Sequence, residues 1–250
     1  MLKILTFNLW GRFGPRLKER WAAAARCIAE LGCDILCLQE VTDPMLLHLI
    51  SETANKNVVL ADPQGSGLAV LSNLSAADNG LVEYQARSFL ERYARKFIWV
   101  KLVTGAGFFV VTNTHLAWLP GDDKTRMSQA GHLCRFVLQK NLPAVLCGDF
   151  NCEYKSAPLS ALRQSGFSDA LESLPDEHKP TWDNRHPYIQ SHLVKFPDRR
   201  IDLILCSKKL RESYFLKEGA IVLDKPAGGI FPSDHYGVIA GFRERLTVST

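Results

Sequence analysis

The chain opens with alternating apolar and polar positions over residues 2 to 9 (LKILTFNL), the period of a strand with one buried face. Residues 16 to 31 (RLKERWAAAARCIAEL) then carry apolar side chains at helical spacing on an Arg, Lys and Glu background, and the pattern stops at Gly32. The apolar run DILCLQE (34 to 40) predicts a buried strand of the parallel type. A helix around 43 to 54 follows, with Asp43 and Pro44 in cap-like positions. The predicted order so far is βαβα.

From Val58 the rhythm changes. NVVLAD, GSGLAVLS and the long stretch LVEYQ to TNTHL (81 to 116) read as strands broken by Gly-containing turns such as Thr104-Gly105-Ala106-Gly107, a pattern of antiparallel hairpins. Residues 122 to 140 predict an amphipathic helix. The run Ala144, Val145, Leu146, Cys147 predicts a buried strand that stops at Gly148, Asp149, Phe150, Asn151. A short helix near 157 to 164, a loop-rich stretch from 169 to 198 and two final strands, RRIDLILCS and HYGVIAGF, complete the reading. With no repeat, low-complexity tract or Pro/Ser-rich linker, one mixed α/β domain over residues 1–250 is expected.

Composition adds bounds rather than a function. A 250-residue chain that is 46% hydrophobic and 22% charged has globular proportions and can bury a sizeable core. The start has no basic n-region or long apolar stretch, and no later run approaches membrane-spanning length, so a cytoplasmic chain without a targeting or transmembrane segment is expected. Seven cysteines without CxxC spacing, most of them inside apolar patterns (Cys27, Cys37, Cys134, Cys147, Cys206), fit reduced thiols. A net charge of +4 permits a polyanionic partner without requiring one.

The chemistry lies where apolar strands end. TFNLW supplies Asn8, LCLQEV Glu40, VVTNTHL His115, LCGDFN Asp149 and Asn151, and RRIDLIL Asp202, while FPSDHYGV places Asp234 and His235 before the last strand. At period 2, Asp149 and Asn151 are expected to point to one side. Any one of these residues suits a turn or a cap equally well. Glu40 and Asp202 do not fit that reading easily, because a carboxylate inside an apolar run must be paired, hydrogen-bonded or metal-bound. Carboxylates and an Asn offer hard oxygen donors and no thiolate pair, which suits Mg²⁺ or Mn²⁺. Two histidines add groups that titrate near neutrality. Together they point to phosphoryl chemistry.

The ordered set TFN, LQE, TNTHL, GDFN, RID and SDH resembles the endonuclease/exonuclease/phosphatase superfamily, from Asn8 to His235. Its members include deoxyribonuclease I, apurinic endonucleases, 5′-type tyrosyl-DNA phosphodiesterases, neutral sphingomyelinases and inositol polyphosphate 5-phosphatases. The resemblance implies an α/β/β/α four-layer sandwich of two mostly antiparallel, mixed sheets flanked by helices. It implies a Mg²⁺-dependent phosphodiesterase (Mn²⁺ as substitute) with Asn8, Glu40 and Asp234 at the metal. It further implies that Asp149 and Asn151 orient the water or the phosphoryl oxygens and that His235, oriented by Asp202, is the general base or an electrostatic clamp. Either Asp149 or His235 can be the base on this reading. His115 would stabilise the phosphorane or protonate the leaving oxygen, and its presence sets the chain apart from apurinic endonucleases, which usually carry Tyr there.

KPTWDNRHPY followed by RRIDLIL looks similar to tyrosyl-DNA phosphodiesterases, whereas GSGLAVLS and NLWG look similar to neutral sphingomyelinases. Trp10, Trp118 and Trp182 are candidate stacking groups, and Arg12, Lys96, Arg126, Arg199 and Arg200 candidate phosphate contacts. Nucleic acid or its adducts is the favoured partner, a phospholipid the alternative, and a non-catalytic binding module the alternative from another class. The remaining histidines, including His186 and His192, are expected to be core or surface residues.

Overall fold

The computed structural model describes residues 1–89, 91 and 93–245. Two six-stranded sheets face each other. The first runs, in spatial order, β11 (Tyr214–Val222), β12 (Gly237–Glu244), β1 (Leu2–Asn8), β2 (Ile35–Gln39), β4 (Leu68–Ser72) and β3 (Val58–Asp62). The second runs β5 (Ala76–Glu83), β6 (Lys96–Thr104), β7 (Gly107–His115), β8 (Ala144–Asp149), β10 (Asp202–Cys206) and β9 (Ser168–Asp169). Among the described residues, β1–β2 and β7–β8 pair in parallel and the other ladders are antiparallel.

Alternation along each strand builds three apolar layers. Between the sheets lie Ile4, Ile35, Cys37, Leu68, Val70, Phe109, Val111, Val145, Cys147 and Ile204. On the outer face of the first sheet, Leu5, Phe7, Leu36 and Leu38 pack against Trp21, Ala24 and Ile28 of α1 (Leu17–Leu31) and Leu46 and Ile50 of α2 (Pro44–Ala54). On the outer face of the second, Phe97, Val110, Leu146 and Leu203 meet Leu133 and Val137 of α3 (Asp123–Lys140) and Leu162 of α4 (Ser160–Gln164). The expected α/β/β/α order is the one observed.

The expected helix ends are also present. α1 stops at Gly32 in the left-handed region (φ 60°), and α2 begins with Pro44 after Asp43, whose side chain accepts from Met45 N–H at 2.8 Å. One correction is needed at the C-terminal end: three strands follow residue 200, not two, with α5 (Lys208–Ser213) leading into β11. β11 is an edge strand whose alternation is broken by a bulge between Leu216 and Glu218 and by exposed Lys217, so no apolar period marks it. All seven cysteines are free thiols; Cys27 is half-buried and the other six are buried.

The loop-rich stretch is pinned by the buried ring of His186, which lies 4.3 Å from the Phe231 ring and whose Nδ1 accepts from Tyr188 N–H at 3.2 Å. Burial first, with His235 and His192 in support and Asp234 and Asp183 opposing, pushes its pKa down to about 4. The unfolded chain binds a proton here below about 6.5 while the folded one resists it, so the contribution is complete above 6.5 and fades as pH falls towards 4. Between pH 7.5 and 5 the expected loss is about 1 kcal/mol, after discounting for solvent screening. His186→Asn, which keeps an acceptor for Tyr188, is expected to lower stability at pH 7.5 but to lose less of it on acidification. Thermal unfolding of both proteins at the two pH values checks this; parallel losses would refute it.

Candidate active site

Within the inter-sheet layer five strands run from apolar to polar towards one end. The inward rows are Ile4-Thr6-Asn8, Ile35-Cys37-Gln39, Phe109-Val111-Asn113-His115, Val145-Cys147-Asp149 and Cys206-Ile204-Asp202. Parallel pairing sets His115 beside Asp149 and Asn8 beside Gln39, and antiparallel pairing sets Asp202 opposite Asp149. Ladder register therefore gathers His115, Asp149 and Asp202 at one end of the second sheet, and face-to-face packing brings Asn8 of the first sheet to the same edge of the sandwich.

Two glycines allow the approach. Gly148 has φ 148°, and a Cβ there would lie 2.1 Å from Thr114 O, so the β7–β8 ladder closes only without a side chain. Gly67 (φ 69°) lies against Glu40, whose Cα would be 3.3 Å from a Cβ. Glu40 itself has φ 56°, a conformation costly for a non-glycine residue, which turns the chain away from β2.

Asn8 Nδ2 donates to Glu40 Oε1 at 3.0 Å and to Asp149 Oδ2 at 3.1 Å, and Asn8 Oδ1 accepts from Trp10 N–H at 2.9 Å. His115 Nε2 lies 3.4 Å and His235 Nε2 3.9 Å from the same Asp149 oxygen. His235 Nδ1 is 2.8 Å from Asp202 Oδ2, and Asp202 Oδ1 is buried without a partner. Asp234 Oδ2 is 3.0 Å from His192 Nε2. Of the eight residues expected at the centre, all are brought together. Asn151 differs in detail: β8 ends at Asp149, and Asn151, at φ 52°, sits beyond the strand alternation. Its backbone N–H donates to Asp149 Oδ1 at 2.9 Å and its Nδ2 to Leu116 O at 3.0 Å, so it braces Asp149 and the segment after His115.

Charge is crowded here. Burial, then the nearby Asp234, raise the Glu40 carboxyl to about 7 despite the Asn8 hydrogen bond. Burial works against charge on Asp234, yet His192 and His235 hold its carboxyl below the usual range. For His235, burial disfavours the cation, but Asp202, Asp149 and Asp234 outweigh it and lift the imidazole to about 10. His115 goes the other way, to about 3, through burial and then Arg95. One histidine is thus held as a cation and its neighbour as a neutral ring. Among the described residues, Asp149, Asp202 and His235 form a group with possible ligand atoms within 4.8 Å of one another, but the Asp202–His235 hydrogen bond already supplies that group with positive charge.

The expected outer contacts fare less well. Trp10 is buried between Tyr188 (5.2 Å between ring centroids), His192 (5.4 Å) and the Arg20 guanidinium (4.7 Å), so its faces are already covered. Trp182 is buried with its ring edge-on to His235 at 5.2 Å, and half-buried Trp118 is fixed through its backbone N–H to Glu91 at 3.0 Å. Arg126 donates to Ala117 O, Leu119 O and Asp123, which makes it a buried loop clip rather than a phosphate contact. Arg200 pairs with Asp169, Arg12 with the helix-capping Asp43, and Lys96 with Asp62. Arg199 alone among these keeps an unpartnered Nε while its Nη1 reaches Asn151 O at 3.4 Å. His192, expected among core or surface residues, belongs to the site; it lies in a stretch without periodicity, and no sequence signal singles it out.

Known proteins resemble this chain over most of its length. A mouse tyrosyl-DNA phosphodiesterase 2 is 23% identical over 255 residues, covering 95% of this chain; the chain spans about 65% of that relative's length. A zebrafish tyrosyl-DNA phosphodiesterase 2, solved with a single-strand DNA product, superposes with a TM-score of 0.81 at 18% identity, covering 97% of this chain and 98% of that one. A mannosyl-6-phosphatase from Bacteroides thetaiotaomicron superposes with a TM-score of 0.76 at 19% identity, covering 97% and 100%. Residues 5–235 match the model of the Endonuclease/Exonuclease/phosphatase family, the span that carries all the polar strand ends described above, and the chain belongs to that family.

Proposed function

We propose that the chain is a divalent-metal-dependent phosphodiesterase that cleaves by in-line attack of water, with nucleic acid or a nucleic-acid adduct as substrate. The observation that carries this reading is the contact of two sets on Asp149: Asn8 with Glu40 on one side, and His235 with Asp202 on the other. A hard cation suits the first set. Glu40, Asn8 and Asp234 offer oxygens and no thiolate, and a carboxyl lifted to about 7 by burial and a neighbouring carboxylate marks a site short of positive charge. Bound by Glu40 and Asn8 with Asp234 beside it, Mg²⁺ or Mn²⁺ would neutralise a non-bridging phosphate oxygen.

The remaining roles belong to the chain's own groups. Asp149, fixed by Asn8 Nδ2 and Asn151 N–H, orients the attacking water and accepts its proton. His235, flanked by Asp202 at Nδ1 and Asp149 towards Nε2, clamps the phosphoryl group through Nε2–H. His115, the neutral ring, donates to the developing phosphorane or the leaving oxygen.

The DNA-acting relatives support the substrate class. Among the described candidate contacts, the internal pairing of Arg12, Lys96 and Arg126 points to few phosphates, with Arg199 Nε and Arg200 Nη1 the guanidinium nitrogens left without a partner. Single-strand binding by an inactive variant should therefore show a shallow salt dependence, a log–log slope of about −1 to −2, since each contact contributes roughly −0.7. A zero slope, with turnover of sphingomyelin instead, would favour the phospholipid reading; absence of any hydrolysis of bis-p-nitrophenyl phosphate with Mg²⁺ or Mn²⁺ would favour a non-catalytic module.

Glu40→Gln should leave the metal-free protein as stable or more so, because one member of a crowded carboxylate pair is neutralised, and should abolish stabilisation by Mg²⁺. Thermal unfolding and calorimetry read both effects, and undiminished Mg²⁺ affinity sinks the ligand assignment. Asp202→Asn and His235→Ala should each lower turnover by about 10² to 10⁴, with the double variant little worse than His235→Ala because the pair acts as a unit. Multiplicative losses, or near-normal turnover in Asp202→Asn with native circular dichroism, would count against it.

A further inference from the structure

Between the apolar inter-sheet core and the charged edge lies a layer of uncharged polar groups: Thr6, Gln39 and Asn113, all fully buried. Gln39 Nε2 lies 2.6 Å from Asn113 Oδ1, 3.0 Å from Thr6 Oγ1 and 3.0 Å from Cys37 O. Asn113 Nδ2 donates to Leu38 O at 2.8 Å and Ala69 O at 2.9 Å. Asn113 stands on β7 in the second sheet, whereas the partners of its side chain stand on β2 and β4 in the first. A single side chain is thus tied to two adjacent strands of the opposite sheet. Elsewhere the facing sheets meet mainly through apolar side chains, which fix spacing but allow sliding, with polar contacts confined to the ends: Asn8–Asp149 within the site, and Thr104–Tyr214 and Lys96–Asp62 at the margins.

The pair is a poor way to gain stability. Gln39 Oε1 is buried without a partner, and two apolar residues of similar volume would fill the space without desolvating amides. Its position suggests what it does gain. Gln39 immediately precedes Glu40, and Asn113 is two residues from His115 on the same face of β7. Sliding of one sheet over the other would move the Asn8–Glu40 side of the site relative to the Asp149–His115 side, although each side would stay intact within its own sheet.

We infer that Gln39 and Asn113 are positioning residues: their inter-sheet amide link sets the registry between the two half-sites, so that one phosphate group meets both at once. This rests on the phosphodiesterase reading for what the halves do, but the registry can be tested without turnover. The double variant Gln39→Leu/Asn113→Leu removes the link while keeping volume and leaves every group of the two half-sites in place.

The expected result has three parts. Thermal stability is retained or raised. Mg²⁺ affinity, a property of the first sheet's half, changes less than threefold by calorimetry. Binding of inorganic phosphate to the Mg²⁺-loaded protein, which needs both halves, weakens at least tenfold, and kcat on bis-p-nitrophenyl phosphate falls at least thirtyfold. A merely structural role predicts the converse, lowered stability with phosphate affinity and kcat preserved in the folded fraction, and that result overturns the inference. Should the double variant fail to fold, Asn113→Thr, which keeps one hydroxyl near Gln39 but gives up the amide donor to Leu38 and Ala69, is measured in the same way. Unchanged phosphate binding there overturns it equally. Wild-type protein that binds Mg²⁺ and phosphate together but hydrolyses no ester refutes the enzymatic reading and leaves the registry test standing.

Discussion

The packing of two sheets face to face constrains the rest of the molecule, because strand side chains alternate and every second residue of ten strands must be compatible with the same dry layer. At one end that compatibility is given up. The rows that begin with Ile4, Ile35, Phe109, Val145 and Cys206 finish with Asn8, Gln39, His115, Asp149 and Asp202, so the site is the terminus of the core itself and not a depression added to the surface. Within each sheet its precision comes from ladder hydrogen bonds. Loops bring only Glu40, Asn151, Asp234, His235 and His192, and each of these is tied back to a strand-borne group or to a neighbour that is.

This placement has an energetic side. Buried ions retain a desolvation penalty of several kcal/mol each unless compensated, and the centre holds four carboxylates with His235 as the fully buried cation among them. The apolar layers under both outer helices are intact, which is where the fold recovers stability. Some strain lies in the same place: Trp10, Glu40 and Asn151, three of the eight described non-glycine residues at positive φ, adopt left-handed backbone beside the charged cluster. Conformational cost and electrostatic cost coincide, as expected for a site arranged for a ligand that brings opposite charge.

Much of this was legible in the sequence, for a physical reason: strands buried on both faces produce apolar runs that few other structures produce, and a carboxylate at the end of such a run has few places to go. The helix boundaries at Asp43-Pro44 and Gly32, the hairpins after Val58 and the polar strand ends all follow from local chemistry. What escaped was decided by tertiary context. β11 lies at an edge, where half its residues face solvent and a bulge erases the period. Arg126 and Trp10 have the composition of ligand-binding groups, but both are consumed internally, one by loop carbonyls and the other by Tyr188, His192 and Arg20. His192 comes from an irregular loop whose path no periodicity encodes, and only the fold brings it to Asp234.

The pairing of β12 with β1 has a consequence for the order in which the molecule is made. Residues 2 to 8 leave a ribosome more than two hundred residues ahead of residues 237 to 244, the partner that covers one flank of that strand. Until then β1 presents an open edge, a template for misdirected strand addition. The same order brings His235, made 33 residues after Asp202, to the centre last among its charged groups. Assembly of the charged centre therefore waits on the strand pair that closes the first sheet.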